Sequence, residues 1–170
     1  KKLEQQVVLT PKSVSKIKPA TENVFSVKRI LLPVDFSPAG KQSFHDARAL
    51  AELNGAIIYL IHVVEPISND IIPGIDNRGN IIRENLIREM EKLQVGFFKQ
   101  VRTCMLLRNG IPFNEIVAAA EQENADLIIM STHGYTGFKH VLLGSTTERV
   151  VQHAKCSVLV VRSKPTKKRK

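Results

Sequence analysis

The 170-residue chain is 43% hydrophobic, has few aromatic residues and carries a formal net charge of +9. That is enough apolar material for one α/β domain with its own core, and too short a chain for two comfortable ones. The charge belongs to the ends: residues 1–29 carry a net +5 and residues 162–170 a net +6, leaving residues 30–161 at −2. Such basic tails, without interleaved aromatics for base stacking, exclude a specific nucleic-acid partner as the expectation.

Residues 1–27 mix Lys, Gln, Ser and Thr with Pro11 and Pro19 and hold no sustained period. They read as a basic extended arm or linker, with at most one short strand at Val7, Val8 and Leu9. Residues 28–162 form the α/β domain, and residues 163–170 a basic C-terminal tail. Ile30, Leu31, Leu32 and Val34 predict a buried first strand ending in Asp35. Ser37 and Pro38 predict the N-cap and first residue of a helix whose apolar face carries Phe44, Ala47, Leu50 and Ala51, and Gly55 closes it.

A second apolar strand spans residues 56–64. It is followed by a polar connection with Pro66, Pro73, Gly74 and Gly79 that is expected to be mobile. Residues 81–98 are amphipathic, with Ile82, Leu86, Met90, Leu93 and Phe97 at helical spacing. Then come a third strand over 101–107, a helix over 112–122, a fourth strand over 126–130, a helix over 145–153 and a last strand over 157–162. Parallel strands need crossover helices, so this alternation predicts an α/β fold: a doubly wound open parallel five-stranded sheet, order 3-2-1-4-5, with helices on both faces. In that order strands one and four are neighbours where the order reverses, the place where such sheets hold ligands. Asp35 and Ser131 would share that crevice.

Residues 126–150, DLIIMSTHGYTGFKHVLLGSTTERV, place a strand, a loop with Gly134 and Gly137, and a helix start in succession. Ser145 and Glu148 match a capping box. A strand, a glycine-bearing loop and a helix N-terminus offer backbone N–H groups and partial positive charge, which hold a phosphate without a lysine. Leu143 and Gly144 precede Ser145, so this is no Walker loop, and G-x-G-x-x-G is absent. The same residues read equally as turn glycines and a cap, Asp35 as an Asx turn, and Val63 and Met130 as core.

His133, His140 and His153 are seven and thirteen positions apart, unlike zinc ligands, so no protein-only metal site is expected. The motif places no lysine, arginine finger or water-orienting acid, so little or no phosphoryl transfer is expected. Cys104 and Cys156, without C-x-x-C or a signal peptide, suit structural thiols in a reducing, cytoplasmic setting. No apolar run approaches the ~20 residues that span a bilayer. The start at Lys1 and the basic arm suit a piece of a longer chain, such as the cytosolic side of a membrane transporter.

Over residues 28–162, PVDFS, HVVEP, MSTHG and LLGSTTERV resemble the universal stress protein family. Its nucleotide-binding members carry G-x-x-G, nine residues, then G-[ST]. Gly134, residues 135–143, Gly144 and Ser145 match that pattern, and Ser131 stands where the family has its first glycine. The resemblance implies that ATP binds, with Mg²⁺ on its phosphates. Pro33, Val34 and Asp35 would face adenine and ribose, and Val63 and Met130 would pack on the base. Gly134, Gly144, Ser145, Thr146 and Thr147 would hold the phosphates, with the Cβ of Ser131 reshaping that end.

The resemblance also implies a homodimer through the last strand, residues 157–162, and a regulatory rather than enzymatic role. The alternative is a dimerisation or interaction module with an empty crevice, or the regulatory domain of a transporter. An adenine-nucleotide hydrolase of related fold would need a glycine-rich loop directly after the first strand, and PVDFSPAG has no glycine before Gly40.

Overall fold

The computed structural model describes residues 26–37, 40–65, 77–132 and 143–162. Five strands alternate with four helices: β1 (Arg29–Pro33), α1 (Lys41–Asn54), β2 (Ile57–Val64), α2 (Asn77–Lys92), β3 (Arg102–Asn109), α3 (Pro112–Gln122), β4 (Leu127–Ser131), α4 (Ser145–His153) and β5 (Ser157–Val161). All neighbours pair parallel, in the order β3-β2-β1-β4-β5, as the alternation predicts.

The central strands RILLP and LIIMS are apolar on both sides because both sides are covered. Strand alternation sends Ile30, Leu32, Ile58, Leu60, Leu127 and Ile129 against Phe44, Ala47 and Ala51 of α1 and Met90 of α2. Leu31, Ile61, Ile128 and Met130 point the other way, against Ile116, Ala119 and Ala120 of α3 and Val150 of α4.

Pairing length differs along the sheet, and that difference positions the site. β1 pairs β2 over its whole length, from Arg29↔Ile57 to Pro33↔Ile61. With β4 it pairs only at Ile30↔Leu127 and Leu31↔Ile128, so the last residues of β1 and β4 part. The roots of the two strands are tied instead by Asp126, whose Oδ2 accepts from the backbone N–H of Lys28 at 2.7 Å and of Arg29 at 2.8 Å.

Several boundaries differ from expectation. α1 starts at Lys41 with Gly40 as its N-cap, and Pro38, the expected first helical residue, lies outside the described residues. The Ser37 N–H is held by Asp35 Oδ1 at 2.9 Å, and the Ser37 carbonyl accepts from Gly40 N at 3.2 Å. The first bond makes an Asx turn, and the buried Ser37 hydroxyl also accepts from Gly40 N at 3.3 Å, three residues on, as an N-cap side chain does. Gly55 does close α1, in the left-handed region at φ 63° that only glycine takes freely.

α2 begins at Asn77, so Gly79 is helical rather than part of a connection. It ends at Lys92 and passes into a π turn, Leu93–Phe97. The expected strand at Val7–Leu9, residues 66–76 of the connection and the tail at 163–170 lie outside the described residues. Among the described residues no helix is long and apolar enough to cross a membrane.

Leu32, fully buried at the centre of the sheet, is predicted to cost about 2–5 kcal/mol on Leu32→Ala substitution. Leu53, 82% exposed, is predicted to change stability by less than about 0.5 kcal/mol on Leu53→Ala. Urea unfolding of the two variants checks the contrast.

Candidate functional site

Where β1 and β4 part, a crevice of about 440 Å³ opens at the C-terminal ends of β1, β2 and β4, between the first turns of α3 and α4. Roughly 300–1,000 Å³ is ordinary for a small-molecule site. The structure brings ten of the sequence-predicted residues to its lining: Pro33 at the end of β1 with Val34 and Asp35 just after it, Val63 from β2, Met130 and Ser131 from β4, and Gly144, Ser145, Thr146 and Thr147 from the start of α4. Gly134, the remaining one, lies outside the described residues, as does Gly137.

One side of the crevice donates. The N-cap of α4 is Gly144, and no side chain caps the helix. The expected capping box therefore does not form: Ser145 is the first helical residue, one place too late to be the cap. Glu148 N donates to Gly144 O at 2.9 Å, and the exposed Glu148 side chain follows the first turn rather than closing it. Among the described residues the N–H groups of Ser145, Thr146 and Thr147 have no acceptor, as the geometry of a first turn dictates. They carry the positive end of the helix dipole.

Glycine at 144 suits a close approach to β4. Its N–H donates to Thr132 O at 2.8 Å, and a Cβ there would lie 3.3 Å from the same oxygen. Buried Thr147 fastens the turn from inside, its Oγ1 donating to Ser131 O at 3.0 Å.

The other side accepts. Asp35 Oδ1 closes the turn onto Ser37 N, so the Asx-turn reading holds, and among the described residues Oδ2 has no partner. Phe36, next in the chain, has a left-handed backbone at φ 57°, which costs a non-glycine residue roughly 1–3 kcal/mol. Val34 is buried in the core on the α1 and α2 side, so only its backbone is available to the crevice. Met130 is buried among Leu31, Ile116 and Val150 and serves core and crevice wall together.

Ile61, His62, Glu65, Pro112 and Ile116 also line the crevice and were not foreseen. His62 carried a signal, as the one imidazole in the run AIIYLIHVV. Pro112 and Ile116 carried none, because helix packing brings them in.

Among the described residues no three His, Cys, Asp or Glu side chains gather as metal ligands. At the opposite end of the sheet, burial pushes the Cys156 thiol up, opposed in part by a hydrogen bond to its own backbone, with Asp126 adding a smaller push upward. That thiol stays protonated at neutral pH.

The sequence profile of the universal stress protein family matches residues 26–162. The chain belongs to the universal stress protein family. Universal stress protein MJ0531 of Methanocaldococcus jannaschii is 37% identical over 157 residues, 86% of each chain. MJ0577 of the same organism is 32% identical, and its solved structure superposes with a TM-score of 0.75 over 83% of this chain and 99% of that one. A universal stress protein of Archaeoglobus fulgidus solved in complex with dAMP is 19% identical, with a TM-score of 0.56 over 79% of this chain and 98% of that one. At that identity the likeness is one of fold.

Thr147→Val keeps the shape of the side chain and removes its hydrogen bond to β4. The expected loss is about 1 kcal/mol of stability, with faster exchange of the bonded amides at Gly144 and Glu148, read by hydrogen–deuterium exchange.

Proposed function

We propose that this universal stress protein is a regulatory ATP-binding protein whose nucleotide occupies the crevice between β1 and β4. The observation that carries the reading is the two-sided lining. Three uncapped N–H groups at Ser145, Thr146 and Thr147 face a crevice whose other wall holds the Asp35 carboxylate. A ligand that satisfies both is anionic at one end and rich in hydrogen-bond donors at the other, as a nucleotide is. The dAMP complex of the Archaeoglobus fulgidus protein supports the reading, since the fold there accommodates an adenine nucleotide.

Ser145, Thr146 and Thr147 would hold phosphate through backbone and hydroxyl, with Mg²⁺ carried in on the phosphates. Asp35 would accept from ribose or adenine donors, and Val63 and Met130 would pack on the base. Among the described residues no lysine or arginine lines the crevice, which suits holding a triphosphate rather than cleaving it. Occupancy then sets a conformation that a partner reads.

The last strand supports dimerisation. β5 ends the sheet, and Leu159 is 38% exposed there. Pairing with a second copy across a two-fold axis would cover this edge.

ATP with Mg²⁺ at 100 times its Kd is expected to stabilise the protein by about 2.7 kcal/mol, measured as a rise in Tm, with phosphate release at background. Asp35→Ala should remove most of the rise. No rise in the unaltered protein refutes ATP binding. Light scattering should give a dimer at micromolar concentration, and Leu159→Lys should shift it toward monomer. A monomeric unaltered chain refutes the pairing.

A further inference from the structure

The turn that presents Asp35 is held from beneath by one imidazole. Val34 has both backbone groups engaged by β2: its N–H donates to Ile61 O at 2.8 Å, and its carbonyl lies 2.6 Å from His62 Nδ1. A carbonyl oxygen only accepts, so Nδ1 carries the ring proton. Strand alternation puts His62 on the same side as Ile58 and Leu60, the side of α1 and α2. Its ring therefore reaches the turn from the core side. Phe36 packs against that same core and rests its ring on His62, with centroids 5.0 Å apart.

Asp35 is thus bracketed. The residue before it is hydrogen-bonded to His62, the residue after it packs its ring against His62 at a tilt of 49°, and its own Oδ1 is fixed by Ser37 N. Phe36 at φ 57° is a conformation that persists only where neighbours over-determine it, and His62 is the neighbour in contact with its ring.

We propose that His62 is a positioning residue for the crevice, holding the turn over residues 34–36 so that the Asp35 carboxylate meets the ligand already oriented. The inference rests on the nucleotide reading above and extends it to a side chain at the crevice lining whose effect runs through Asp35. The orientation of Asp35 is fixed before the ligand arrives, which removes an ordering cost from binding.

Calorimetric titration of the whole chain with ATP and Mg²⁺ tests it, thermal unfolding confirming that each variant is folded. His62→Phe keeps a ring to stack and loses the donor, and should weaken binding about tenfold. His62→Asn places an amide N–H at the Nδ1 position and should bind within about threefold of the unaltered chain. In an Asp35→Ala background His62→Phe should add less than about twofold, since residues acting through one another are not additive. In the ligand-free protein, ¹⁵N resonances of the His62 ring should report a protonated Nδ1.

Unaltered affinity in His62→Phe, independent effects in the double variant, or a ring with no proton on Nδ1 overturns the proposal alone. No ATP binding by the unaltered chain overturns the nucleotide reading and this proposal with it.

Discussion

The ladder between β1 and β4 stops after Leu31↔Ile128, while both strands run on, to Pro33 and to Ser131. Had pairing continued, the backbone groups at these tips would be taken up in the sheet and the crevice would close. Parallel sheets accept such a gap only where strand order reverses, because the connections from the two tips leave toward opposite faces. Here α1 follows β1 onto one face, and α4 follows β4 onto the other. The opening is a product of topology before any particular side chain is considered.

A parted ladder needs an anchor elsewhere, and Asp126 provides it. One carboxylate oxygen accepts two consecutive N–H groups at the start of β1. Charge-assisted bonds of this kind are stronger than neutral ones. The central pair is closed at its root and free at its tips, so rigidity and openness occupy opposite ends of the same two strands. Above the gap, the Thr147 hydroxyl ties the first turn of α4 to the tip of β4, which keeps the donor wall at a fixed distance from the sheet.

The fold was legible because each apolar run is short, buried on both sides and separated by a helix-length pattern. Those features left one architecture open. Most of the crevice was legible too, since the residues ending β1 and β4 and those beginning α4 adjoin in any sheet of that order. What failed was local. Ser145 and Glu148 have the spacing of a capping box, but the Gly144 N–H is drawn to Thr132 O, which makes glycine the cap and moves both residues one place along the helix. Ser37 does turn its hydroxyl to the Gly40 N–H as a cap would, but the α-helix itself begins only at Lys41. Asp126 read as a strand residue, although its carboxylate bonds to amides 97 and 98 positions away, a separation at which periodicity carries no information. Pro112 and Ile116 were out of reach for the same reason.

The π turn at the end of α2 gives this face of the sheet a peculiar closure. In a regular helix adjacent side chains diverge by about 100°, so one of two neighbouring phenylalanines would swing toward water. The widened turn, closed by Phe98 N donating to Leu93 O at 3.0 Å, lets both Phe97 and Phe98 meet Phe44. Its surplus residue bulges outward, leaving Val95 72% exposed. Because the extra length is absorbed within a helical end, the neighbouring β2–β3 register stays unbroken from Ile57↔Arg102 to Val64↔Asn109. Homologues can therefore differ by one residue at this corner, and an alignment gap there would signify a rewound helix end with the strands beneath it unmoved.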